Sequence, residues 1–205
     1  MERSAAHDQN DSFEILAEVN NDDTFHDFIG AQLKKRSFSI NLYIAFLFIL
    51  IWVLISIFIS KFTEHSSMEL FFYQIGFGIF FGLLLIPLHE ILHGLYLKIL
   101  GCISVDFEWD ILKFRFSCFS DRFVMSKKEF HRFLLAPFIF ITISLLLLAC
   151  FFSQYEVLLL SMLLMHSSMC AGDFALVNFS SKLNRNLLFI YYDSKVKKTV
   201  FQADK

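Results

Sequence analysis

Charge is what this chain has least of. Asp, Glu, Lys and Arg make up 19% of its 205 residues, while 56% are hydrophobic and 28 residues are Phe. A soluble domain of this length has nowhere to bury so much apolar surface. The composition therefore excludes one and leaves a small polytopic membrane protein. No basic patch with interleaved aromatics occurs, so nucleic acid is not an expected partner. The four cysteines, Cys102, Cys118, Cys150 and Cys170, show neither a C-x-x-C pair nor the spacing of a disulfide framework, and neither Cys102 nor Cys118 has a close Cys or His partner at zinc spacing. No cleavable signal peptide is expected either. The first apolar run begins near residue 39 after a long polar lead, so the first transmembrane helix is expected to direct insertion.

What is present is a series of long apolar runs. Asn41–Ser60 carries no charge and is long enough to cross a bilayer. Phe71–Gly101 is apolar apart from Gln74 and the group His89, Glu90 and His93. Phe130–Phe152 and Val157–Phe179 give a third and a fourth span, separated by a tight turn at Ser153–Glu156. Between spans two and three, residues 102–128 change character. I-S-V-D-F-E-W-D and L-K-F-R-F-S-C-F alternate apolar and polar residues, which predicts a β-hairpin. The expected fold is thus an all-α polytopic membrane protein with four transmembrane helices and one short hairpin.

Three regions follow from this reading. Residues 1–38 form a polar tail in which a loose periodicity (Phe13, Ile15, Leu16, Val19, Phe25, Phe28, Ile29) allows a short amphipathic helix. Residues 39–179 form the membrane domain, and residues 180–205 form a second polar tail. Lys and Arg cluster in both tails and in the hairpin segment, while the other two connections hold only Lys61. Four spans with both termini and the hairpin in the cytoplasm satisfy that distribution, in a multi-pass protein of the cell membrane with lipid around it.

The chemistry is concentrated in Pro87–Gly94, P-L-H-E-I-L-H-G. His89 and His93 are four residues apart, so on a helix they point to nearly the same side, one turn apart. Glu90 is offset by about 100° and can reach a water beside a metal without taking a ligand place. This is the H-E-x-x-H arrangement, two imidazole ligands for Zn2+ with a carboxylate as general base.

A catalytic zinc takes three protein ligands, and the candidates for the third within the spans are His131, His166, Asp173 and, weakly, Asn178. Depth separates them. His93 lies about 12 Å of helix from the cytoplasmic end of span two, and Asp173 about 9 Å from that of span four. On one straight helix His166 stands about 10 Å further out, too far to share a metal with Asp173, and is expected to bond within the bundle or line a polar path. Glu90 and Asp173 are costly inside a membrane with no Lys or Arg at matching depth, and a divalent cation neutralises them. The alternative for Asp173 is a structural carboxylate bonded to backbone or to a Ser. His131 and Arg132 are expected at the interface, and Met162, Met165 and Met169 as packing.

P-L-H-E-I-L-H-G-L near the end of one span, the strand-rich insertion, F-L-L-A-P-F and then A-G-D in the last span resemble the family of putative zincin peptidases, small bacterial membrane proteins grouped by this motif. The resemblance covers roughly residues 40–180. More distantly, the layout is similar to site-2-type intramembrane proteases, where a later helix completes the site with an Asp followed by Gly. Here Gly172 precedes Asp173 and Phe174 follows it. The resemblance implies His89, His93 and Asp173 as zinc ligands, Glu90 as the base, and a peptide or membrane-protein substrate. The expected function is a membrane-embedded zinc metallopeptidase, with β-augmentation at the hairpin edge as a way to hold substrate. The rival is a non-catalytic metal-binding membrane protein, such as an accessory or immunity-type factor. A transporter is disfavoured, since the spans show no internal repeat and one polar layer.

Overall fold

The computed structural model describes residues 13–20, 24–63, 68–110, 115–183 and 188–204. Strand β1 (Phe13–Asn20) and helix α1 (Phe25–Lys34) precede the long helices α2 (Phe38–Thr63) and α3 (Met68–Ile99). Strands β2 (Asp106–Asp110), β3 (Arg115–Phe119) and β4 (Met125–Ser126) lead into α4 (Lys127–Phe151). A 3-10 turn, Ser153–Tyr155, then α5 (Glu156–Met169), α6 (Ala171–Lys182), β5 (Leu188–Asp193) and β6 (Lys198–Asp204) complete the order.

Helices α2, α3 and α4 are long and apolar enough to cross a membrane, and α5 with α6 makes a fourth if the bent pair is one span. Their outer faces carry large apolar side chains that no protein covers, such as Trp52 (68% exposed), Phe80 (55%) and Phe140 (58%). Water would penalise that surface; lipid tails do not. Helix α4 starts at a capping box, in which the Ser126 hydroxyl accepts from the Glu129 backbone and the Glu129 carboxylate accepts from the Ser126 backbone.

Small residues set the central contact. A Cβ built on Gly78 would stand 2.6 Å from the Leu158 carbonyl oxygen and the Ser161 Cβ, and one on Gly82 would stand 2.7 Å from the Met165 Cβ. Only glycine lets α3 and α5 approach this closely. The contacts ascend together along both helices, so α3 and α5 run parallel, and further along α3 His89 meets His166.

Two expectations are corrected here and a third is met. Residues 157–179 are not one straight helix, because α5 and α6 meet at 44° around Cys170. The Tyr43 hydroxyl donates to the carbonyl of Ser167 (2.9 Å), which also accepts from the Cys170 backbone N–H (3.2 Å), and lies 3.4 Å from that of Ser168. Next, the N-terminal segment expected as a tail with an amphipathic helix forms strand β1 before α1, and the C-terminal polar tail forms β5 and β6. These join β4 in an antiparallel sheet of order β1-β6-β5-β4, so the protein is not all-α. The pairing Glu18↔Val200 joins the two ends of the chain. Finally, the expected hairpin is the β2–β3 pair, with Phe107 opposite Cys118, although its turn at 111–114 lies outside the described residues.

The sheet packs on the ends of α3, α4 and α6. Val19, Ile190 and Phe201 from its strands share one core with Leu97, Phe130, Phe133 and Val177 from the helices. Helix α1 is fastened to α6 by Asn178, whose amide donates to the Gln32 backbone carbonyl at 3.0 Å.

Candidate metal centre

The i, i+4 spacing on α3 does what helical geometry requires: the Nε2 atoms of His89 and His93 stand 3.0 Å apart. Asp173, in the first turn of α6, reaches the same point from another helix. Its Oδ2 is 3.2 Å from His89 Nε2 and its Oδ1 is 3.7 Å from His93 Nε2. The bend at Cys170 redirects α6 so that Asp173 faces α3, and both histidines are buried.

The tautomer of His93 follows from its other nitrogen. Nδ1 lies 3.0 Å from the Phe133 backbone carbonyl, which only accepts, so Nδ1–H donates and the lone pair is on Nε2. That lone pair points at His89 Nε2 and the Asp173 carboxylate. Three electron-rich atoms converging in a buried place repel one another unless a proton or a cation stands between them. A tetrahedral zinc about 2.0–2.1 Å from N and O donors separates them by about 3.3–3.4 Å, and the observed 3.0, 3.2 and 3.7 Å bracket that value. The residues fit the ion.

Glu90 offers its carboxylate within 4.8 Å of the ligand nitrogens of both histidines. The backbone N–H of Cys118 on β3 donates to it, so the hairpin touches the site directly. Burial, with the Glu90 carboxylate beside it, pushes the Cys118 thiol up to about 12. A cavity of about 470 Å3 opens above this floor, lined by Phe25 and Ile29 of α1, Phe116 of β3, Phe133 of α4 and Tyr192 of β5. Its lining is rich in aromatic side chains and includes His89, Glu90, His93 and Asp173, a mix common in substrate clefts.

Of the four candidates for a third ligand, the structure brings Asp173 to the histidine pair. His131 bonds the Ser180 hydroxyl (2.8 Å), and the Asn178 amide donates to the carbonyls of Gln32 in α1 and Lys35 just after it. His166 bonds within the bundle, on the far side of His89, with Nε2 3.1 Å from His89 Nδ1. Sequence reasoning missed the Phe133 carbonyl, since a backbone acceptor has no residue signature. It also missed Tyr43, whose hydroxyl signals nothing until the bend is known.

No curated protein and no solved structure matches the chain. A family model matches residues 82–188, just over half of the chain and including His89, Glu90, His93, His166 and Asp173, so the chain belongs to the family described as "Putative zincin peptidase".

Proposed function

We propose that the protein is a membrane-embedded zinc metallopeptidase. His89, His93 and Asp173 hold the ion, and Glu90 is general base and then general acid. The observation that carries this reading is the Asp173 carboxylate, brought by a separate helix to within 3.2 Å of His89 Nε2 beside the His93 lone pair. Membership of a zincin family supports it.

When bound, zinc supplies Lewis-acid polarisation of the scissile carbonyl and acidifies water toward neutrality. Glu90 takes a proton from the attacking water as its oxygen bonds to the carbonyl carbon. It then delivers that proton to the nitrogen as the C–N bond breaks, leaving a carboxylate and an amine. The Cys118 N–H orients Glu90 for both transfers. The aromatic cavity holds the substrate, a peptide or a segment of a membrane protein, and the neighbouring β3 strand gives an extended chain a surface to lie along.

Residues 39–179 form the membrane domain of a multi-pass protein of the cell membrane, flanked by cytoplasmic segments 1–38 and 180–205. The Lys and Arg distribution supports this orientation, which puts the sheet, the hairpin and the cavity mouth on the cytoplasmic side.

Glu90→Gln tests the assignment. It removes the base and leaves both imidazoles and Asp173 in place. The expected result is one zinc per chain, with cleavage of a peptide library, read by mass spectrometry, reduced about 10²–10⁴-fold. Cleavage at the wild-type rate would remove Glu90 from the chemistry. Wild-type protein that holds zinc and cleaves nothing would favour the non-catalytic metal binder.

A further inference from the structure

We propose that His166 is a positioning residue for the metal centre, accepting the Nδ1–H of His89 and so holding His89 Nε2 toward His93 and Asp173. This inference rests on the zinc reading of that site.

The argument is one of proton places. His89 has two ring nitrogens, and each faces a defined partner. Nε2 is 3.0 Å from His93 Nε2 and 3.2 Å from Asp173 Oδ2; Nδ1 is 3.1 Å from His166 Nε2. An imidazole that ligates through Nε2 keeps its lone pair there and carries its proton on Nδ1. That proton points at His166 Nε2, which must accept it. Neutral His166 then carries its own proton on Nδ1, a buried atom with no hydrogen-bond partner among the described residues. An uncompensated buried donor is costly, and the ring's near polar contacts among the described residues are His89 Nδ1 at 3.1 Å and the Cys170 sulfur at 3.8 Å, both at its Nε2.

His166 is held for this purpose. It is fully buried, it lies four residues before the bend at Cys170, and the Cys170 thiol donates to its backbone carbonyl at 3.3 Å. The Tyr43 hydroxyl fixes the next turn at Ser167. Ligating histidines ordinarily hand their second N–H to a carboxylate, a carbonyl or a water. His93 follows that habit with Phe133, and His89 uses a second imidazole instead.

A competing arrangement uses the same atoms. His89 Nδ1, His166 Nε2 and Cys170 Sγ lie within 4.8 Å of one another and are potential ligands of a second metal. The sulfur stands 3.9 and 3.8 Å from the two nitrogens, separations a metal could bridge. Two features favour the hydrogen bond: a second ion would require His89 to give up both ring protons and bridge as an imidazolate, and the Cys170 thiol keeps its proton, donating it to the His166 carbonyl.

The test uses the full-length protein in detergent. Zinc stoichiometry and affinity are measured by chelator competition, and the ligand field by the visible spectrum of the cobalt(II) form, for wild type, His166→Leu and His166→Gln. The expected result is one metal per chain throughout, with His166→Leu binding zinc about 10–100-fold more weakly and showing a shifted cobalt spectrum. Glutamine, whose Oε1 accepts as Nε2 does, restores much of both. If His166→Leu does not fold, His166→Met against His166→Gln makes the same comparison at equal length. Wild-type affinity and spectrum in the leucine variant, or in the methionine variant if it replaces it, overturn the inference alone. Two zinc ions in wild type, one lost in Cys170→Ser, overturn it in favour of a second metal site. No zinc in wild type overturns it together with the reading beneath it.

Discussion

The Tyr43 hydroxyl donates to the Ser167 carbonyl across 2.9 Å, and the Tyr43 ring stacks on Phe174 with centroids 4.4 Å apart. One side chain of α2 thus clasps both sides of the bend that presents Asp173. Tyr43→Phe keeps the stacking and removes the hydrogen bond. The expected cost is about 1 kcal/mol of stability, read by denaturant titration in detergent, with zinc still bound. An unchanged midpoint would mean that the bend is held by packing alone.

The close approach of α3 and α5 makes a second prediction. Gly78→Val pushes side-chain atoms into the Leu158 carbonyl and Ser161 Cβ, each already 2.6 Å from where the first carbon would stand. Overpacking of this kind costs about 1–3 kcal/mol. Gly76, on the same helix, has nothing within 4 Å of a built Cβ, and Gly76→Ala is expected to be neutral or stabilising by up to about 1 kcal/mol. Thermal inactivation of the two variants beside wild type checks the pair. Equal losses would show that the helices separate freely.

The Cys118 thiol gives a pH-dependent prediction. Burial holds its folded pKa at about 12, above that of a free thiol near 8.5. Between those values the unfolded chain loses this proton and the folded one keeps it. The contribution is therefore fully present below about pH 8.5 and is lost as pH rises toward 12. Iodoacetamide at pH 8.5 is expected to leave Cys118 unmodified in the folded protein and to label it after denaturation, as read by peptide mass spectrometry. Labelling of the folded protein at the free-thiol rate would contradict this.

The legible parts of the molecule were the local ones. Charge-free length marked α2, and a four-residue spacing placed His89 and His93 together, because both signals depend only on helical rise and period. Asp173 was reachable by counting depth along two helices. The sheet was not. Strand β1 reads F-E-I-L-A-E-V-N, but a bulge between Ile15 and Ala17 breaks the period of two, and its partner β6 lies at the other end of the chain. Lys195, Lys197 and Lys198 made the C-terminal segment read as solvated, although Phe201 between them and the end is fully buried. The bend at Cys170 was invisible for a similar reason. It is bridged by a tyrosine more than a hundred residues earlier, through carbonyls that carry no sequence mark. Assuming a straight helix set His166 apart from the site, when it bonds directly to His89.

The most direct measurement is the zinc content of the detergent-purified protein, wild type beside His93→Ala and Asp173→Ala. One zinc per chain in wild type, with binding lost in both variants, is the result expected if His89, His93 and Asp173 close on one ion. A wild type that takes up no zinc after reconstitution, or an Asp173→Ala variant that holds it as tightly as wild type, would contradict the account.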